Sequence, residues 1–427
     1  MTVRAGIVVT GTEVLSGIVA DRNGPWLSER LRERGVESAH IVVVADRPAD
    51  VRAALDFLAR EGADLIVTSG GLGPTADDLT AEVVGAFAGR PMVLDAGLEQ
   101  RILAILRRNR ASWRSYSEEA MRAGNRKQAI VPEGAAILEP VGTAPGLLVP
   151  PADGSGPLVV VLPGPPRELQ PMWSAAAEHP LLRAVLERAG TLEQGMLRLF
   201  GVPESEIALS LVGIAEDGVA LDRLEVTTCL RRGEIEIATV FPPEAAPVYA
   251  AFVDGIRARH GDTLFSEDGS SIDEQVARLL RGRMIAVAES CTGGLMAGRL
   301  TDVAGSSAYV LGGVVAYSND AKVRFADVSA ELIERYGAVS AEVAAALADG
   351  ALARFGAELG VGITGIAGPG GGSAEKPVGL VCLSGAHAGG ERLDRTLRLP
   401  GDRAMVRERA TTAAMHLLRG LLLRLET

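Results

Sequence analysis

The 427-residue chain contains only three cysteines, Cys229, Cys291 and Cys382, odd in number and widely spaced. That spacing gives neither a disulfide framework nor a zinc-ligand set, and it suits a reducing cytoplasm. Histidine is also scarce, with five residues. None lies close to the candidate nucleophile and base identified below, so a Ser-His-Asp triad is not supported. No uncharged apolar run approaches the ~20 residues that cross a bilayer. The chain opens on a strand-like run, Ala5 to Thr10, and no signal peptide is expected. No internal repeat is evident. Basic residues are outnumbered, 43 Lys and Arg against 54 Asp and Glu, for a net charge of −11. This argues against a broad nucleic-acid surface. The expectation is a cytoplasmic protein with neither membrane nor nucleic acid as partner.

What is present describes a globular chain, 47% hydrophobic and 23% charged. Its length predicts two or three domains. The first 90 residues alternate strands near 5–10, 41–44 and 64–69 with helices over 24–34 and 48–60. This β-α-β-α-β rhythm predicts an α/β fold with a parallel sheet and helices on both faces. The Pro- and Gly-rich stretch 145–166 is expected to be a hairpin of strands 146–149 and 158–162. A helix from Glu168 would close a first domain at about 175. Residues 176–262 read as a small α+β domain with no catalytic constellation, and 263–427 as a second α/β domain.

The densest chemistry lies in Ala288-Glu289-Ser290-Cys291-Thr292-Gly293-Gly294, where a buried strand turns into a helix starting at Leu295. Ser290 and Cys291 are both possible nucleophiles. The helix start is expected to offer free backbone N–H groups, which near Thr292, Gly293 and Gly294 would stabilise an oxyanion. An ordinary helix N-cap explains the same residues. Downstream, Tyr317 ends a strand and Lys322 lies in the next helical turn. A neutral Lys amine, alone or assisted by a Tyr, can take a serine proton. A third strand end, Val361 to Thr364, runs into a glycine-rich loop that includes Gly368 and Gly370. Such loops can cradle anions, but this one lacks the Lys-Ser/Thr ending of a P-loop.

These strings, continuing through Lys376 to Val381 and Gly401-Asp402-Arg403, resemble the C-terminal domain of the competence/damage-inducible protein A (CinA) family over about residues 268–425. The resemblance implies a nicotinamide-nucleotide amidohydrolase that converts NMN and water to nicotinate mononucleotide and ammonia, with no cofactor. It places the nucleophile at Ser290, with Tyr317 and Lys322 as activating partners, and substrate contacts at Thr364 and Arg403. The NMN phosphate would sit in the glycine loop or against Arg403, because arginine suits bidentate phosphate contact.

Near the N-terminus, two predicted strand ends carry polar residues: Thr10 to Glu13, and Ser69 through Gly70, Gly71 and Thr75 to Thr80. The glycines permit a tight anion-binding turn. Asp77 and Asp78 are expected to open a helix, and paired carboxylates beside such a loop suit a hard divalent cation. The string Ser69 to Thr80 resembles the molybdopterin-binding domain shared by molybdenum-cofactor biosynthesis proteins and CinA. Gly11 to Gly17 and Leu162 to Glu168 match its CinA version. That resemblance implies metal-dependent ADP-ribose pyrophosphatase activity with Mg2+ or Co2+. Asp77 and Asp78 would hold the metal, Glu13 would complete the site, and Gly70, Gly71, Thr75 and Thr80 would contact phosphates or ribose.

Together these implications describe a bifunctional, homodimeric enzyme that recycles pyridine nucleotides. Two other classes stay open from sequence: an accessory protein of competence or recombination, and a pterin-binding module.

Overall fold

The computed structural model describes residues 3–109 and 117–426. They form two compact units, Met1–Gln194 with Phe241–Glu244, and Gly195–Val240 with Ala245–Thr427. No described helix is long and apolar enough to cross a membrane.

The first unit is built on a six-stranded sheet in the order Glu37–Val44, Arg4–Thr10, Leu65–Ser69, Leu158–Leu162, Gly146–Val149, Ala136–Leu138. The first four strands are parallel and the last two antiparallel. Its central strands are buried on both faces, and their alternating residues feed two cores. Ile7, Val9, Leu65 and Val67 join Leu27 and Leu31 of the helix Asn23–Arg32 on one side. Val8 and Ile66 join Leu55 and Leu58 of Pro48–Arg60 on the other. The expected hairpin is present, with Leu147 opposite Val161. The helix Pro166–Glu178 is followed by a second, Pro180–Leu186. Leu182 and Leu186 share a core with Leu169 and Trp173, so this unit runs on past 175.

The second unit contains two sheets. Strands Glu225–Arg231, Glu234–Phe241, Glu193–Phe200 and Leu264–Ser266 form one, accompanied by helices Glu204–Glu216 and Ala246–His260. The other runs in the order Val310–Val315, Ile285–Glu289, Leu359–Gly365, Leu380–His387, Arg392–Arg398, the first three parallel and the rest antiparallel. Ala286 and Ala288 pack towards Val343 and Leu347 of the helix Ala341–Phe355. Ile285 and Val287 pack towards Val406 and Ala410 of Arg403–Arg424 and Val276 of Ile272–Leu279. Glu289 is in register with Val315 on one side and Ile363 on the other. The carboxyl ends of three parallel strands therefore finish side by side, the usual place for a ligand in such sheets.

Candidate active site

Ser290 leaves the central strand at this edge, its N–H bonded to the carbonyl of Ile363 at 2.9 Å. The next strand ends at Val315 and is held in step by the N–H of Ala316 on the carbonyl of Glu289, 2.7 Å away. Ser318 then caps the helix Asn319–Ala326 by accepting from Ala321. That cap turns Lys322 inward, where it is only 2% exposed. Its Nζ lies 3.0 Å from Ser290 Oγ and donates to the carbonyls of Ala316 and Tyr317 at 3.0 and 3.3 Å. Burial lowers the Lys322 pKa because the ammonium form loses its hydration. The pair is thus a buried serine hydroxyl facing an amine biased towards neutrality.

Tyr317 contributes its backbone carbonyl to Lys322, while its side chain points elsewhere. It is 57% exposed, and its hydroxyl accepts from Arg403 Nη2 at 2.6 Å. A proton relay through this hydroxyl is therefore not the arrangement found. Arg403 also donates from Nη1 to the carbonyl of Gly368 at 2.9 Å. It so joins the glycine loop to Tyr317, and Asp402, which accepts from the N–H of Met405, caps the helix that carries it. Thr364 is fully buried and donates to the carbonyl of Ala338 at 2.7 Å. Gly370 lies in the exposed part of the loop.

The helix start differs from the sequence expectation. Glu289, fully buried, accepts from the N–H groups of Gly294, Met296 and Ala297 at 3.1, 3.0 and 2.8 Å. The Gly293 N–H goes to the carbonyl of Ser290 at 3.1 Å. The amides of Gly293 and Gly294 are therefore engaged and do not form an open oxyanion hole. Their backbone does need glycine, with φ of 61° and 95°. Thr292 is buried, and its Oγ1 has no hydrogen-bond partner among the described residues.

Two contributors escaped the sequence reading. Glu289 sits outside the usual capping position, five residues before the first N–H it binds. Arg407 donates to the carbonyls of Cys291 and Thr292 at 3.1 and 2.8 Å and clamps the turn after Ser290. Its only sequence signal is a spacing of one helical turn from Arg403. Cys291 is buried, and burial pushes its thiol up to about 11. It is a packed, protonated thiol at neutral pH, and Ser290 is the better placed nucleophile.

In the first unit, Gly70 and Gly71 turn away from the strand Leu65–Ser69 with φ of 108° and 66°. A Cβ on Gly70 would come within 2.5 Å of the Thr10 carbonyl. Thr80 is buried, its N–H on the carbonyl of Gly71. Asp77 and Asp78 do not open the helix as expected. The helix is Thr80–Phe87, and Asp78 lies in the preceding turn, accepting from the N–H and Oγ1 of Thr75 at 2.9 and 2.5 Å. The Thr75 hydroxyl likewise holds Asp77 below its ordinary pKa. Glu13 sits exposed on a separate short helix, Thr12–Leu15. Among the described residues no three His, Cys, Asp or Glu side chains are grouped to hold a cation, so Glu13 does not complete a site with Asp77 and Asp78. Asn23 was not assigned a role from sequence. Buried, it donates from Nδ2 to Ser69 Oγ and the Gly164 carbonyl at 2.8 and 2.6 Å.

Comparison with known proteins matches both regions. Residues 269–422 fit the family model described as the CinA C-terminal domain, and residues 6–184 the probable molybdopterin binding domain. The chain is 59% identical to a CinA-like protein of Mycobacterium sp. (strain MCS), covering 98% of this chain and 99% of that one. It is 58% identical to a CinA-like protein of Mycolicibacterium gilvum, covering 98% of each. Among solved structures, a competence/damage inducible protein of Agrobacterium tumefaciens is 46% identical over 35% of this chain and 94% of its own, with a TM-score of 0.34. With identity this high along nearly the whole length, the chain belongs to the CinA-like protein family.

Proposed function

We propose that the second unit is a serine amidohydrolase acting on the carboxamide of nicotinamide mononucleotide. The observation that carries this reading is the buried Lys322 Nζ, 3.0 Å from Ser290 Oγ. A lysine amine in that position can take the serine proton as Oγ attacks the amide carbonyl. The tetrahedral adduct collapses as the C–N bond breaks, and the Lys322 ammonium returns the proton to the departing ammonia. Water then attacks the Ser290 ester, again giving a proton to Lys322, and nicotinate mononucleotide leaves as Ser290 is reprotonated. Arg403, exposed beside the glycine loop and oriented by Tyr317, would receive the substrate phosphate. Ammonia release from NMN, lost in Ser290→Ala, tests the assignment.

A second reading concerns the first unit: hydrolysis of ADP-ribose to AMP and ribose 5-phosphate. It is favoured by the positive-φ turn at Gly70 and Gly71, set at the end of a parallel strand beside Asp77 and Asp78. A bound Mg2+ or Co2+ would neutralise the pyrophosphate and activate water. Asp77 and Asp78 would hold it, and the turn at Gly71 would contact the phosphates, the Gly70 N–H being already on the Leu162 carbonyl. Asp77→Asn with Asp78→Asn should abolish ADP-ribose cleavage and leave NMN hydrolysis intact. Full cleavage by that double variant would remove the assignment.

A further inference from the structure

A cavity of about 810 Å3 lies within the second unit, and none of its lining residues belongs to the Ser290 site. Its volume falls in the range of small-molecule pockets. One side is the edge strand Arg392–Arg398 with the later turns of the helix Arg403–Arg424. The other is the end of the strand Glu193–Phe200 and the Leu230–Gly233 turn. The floor is apolar, made by Phe200, Phe265, Leu397 and Leu417. His416 stacks on Phe200 with centroids 3.8 Å apart and planes at 8°, which gives the floor a flat, rigid face.

The rim is cationic although the chain as a whole is acidic. Arg395, Arg409 and Arg419 all line the cavity. Their hydrogen bonds go to neutral oxygens: the Asp394 carbonyl, the Pro400 carbonyl, and Gln275 Oε1 with the Phe265 carbonyl. Such bonds do not cancel the guanidinium charges. A fourth arginine, Arg232, reaches Glu408 only at 3.8 Å with both side chains half exposed, which neutralises it weakly. Among the described residues Asp262 is the sole carboxylate in the lining. An apolar floor beneath arginines bonded mainly to neutral oxygens suits one chemistry: an anionic head on an apolar body.

We propose that this cavity binds an amphipathic organic anion, an apolar or aromatic body bearing a carboxylate or phosphate. The site is independent of the amide-hydrolysing reading. The test titrates the full-length protein with the fluorescent aromatic sulfonate anilinonaphthalene sulfonate, in competition with decanoate and with naphthyl phosphate. Saturable binding of one probe per chain is expected. It should weaken about tenfold in Arg395→Gln and in Arg409→Gln, as loss of a charge-assisted contact implies, and stay unchanged in Arg403→Gln. Displacement by decanoate assigns an aliphatic carboxylate, and displacement by naphthyl phosphate an aromatic phosphate. Arg395 is exposed on an edge strand and bonds only the neighbouring carbonyl, so its variant keeps the test valid if Arg409→Gln misfolds. Probe affinity unchanged in both glutamine variants, lost equally in Arg403→Gln, or insensitive to both competitors overturns the proposal.

Discussion

Lys322 Nζ lies 3.0 Å from Ser290 Oγ, and both side chains are buried. Burial lowers the lysine pKa, so the neutral amine that the proposed reaction needs as its base is populated below the ordinary lysine range. NMN hydrolysis should therefore rise with pH and level off as Lys322 deprotonates, with its inflection below that of a free lysine. The linked stability has the same sign. The unfolded chain binds this proton more tightly than the folded one, so stability also rises with pH through the window between the two pKa values. Lys322→Met should lower kcat by about 100- to 10,000-fold, the usual worth of a positioned base. A pH–rate profile of both proteins checks this.

Cys291 should be dispensable. Its thiol, pushed up to about 11 by burial, is protonated at neutral pH. Cys291→Ala is expected to keep kcat close to that of the parent, and the folded protein should resist thiol reagents at this position near pH 7. Rapid alkylation of Cys291 with parallel loss of ammonia release would reverse the assignment.

Glu289 holds three helix-start amides with one buried carboxylate. Glu289→Gln keeps the shape but has a single acceptor oxygen, so at least one buried N–H is orphaned. The cost should be about 1–3 kcal/mol, read as a lower denaturant midpoint with an unchanged slope. Activity should fall as well, because the same residue precedes Ser290. An unchanged midpoint would mean that the turn holds itself.

The Arg403–Tyr317 bond separates two roles for the tyrosine. If Tyr317 orients Arg403 for the substrate phosphate, Tyr317→Phe and Arg403→Lys should both raise KM, the latter by about tenfold or more through loss of the fork geometry. The kcat of Tyr317→Phe should stay near that of the parent. A collapse of kcat with KM unchanged would restore the proton relay.

Much of this was legible in the sequence because it depended on local pattern. Apolar runs ending in polar turns predicted strand ends near Ala288, Tyr317 and Thr364, each within two residues of those found at Glu289, Val315 and Gly365, and the absence of nearby histidine pointed to Lys322. What escaped was set by long-range geometry. Nothing in the spacing says that Glu289 folds back over its own helix start, that Arg407 reaches the Cys291 and Thr292 carbonyls, or that Arg403 takes the Tyr317 hydroxyl. The Asp77-Asp78 pair misled for a related reason. Aspartate favours helix starts, but here Asp78 reaches back to the N–H and hydroxyl of Thr75 in a separate turn, so the helix begins only at Thr80.

The most direct test of the central claim is ammonia release from NMN by the purified full-length protein beside Ser290→Ala. The account predicts turnover by the parent and a loss of several orders of magnitude in the variant, as for nucleophile removal in serine hydrolases. Turnover by Ser290→Ala at near the parental rate, or none from the folded parent, would contradict it.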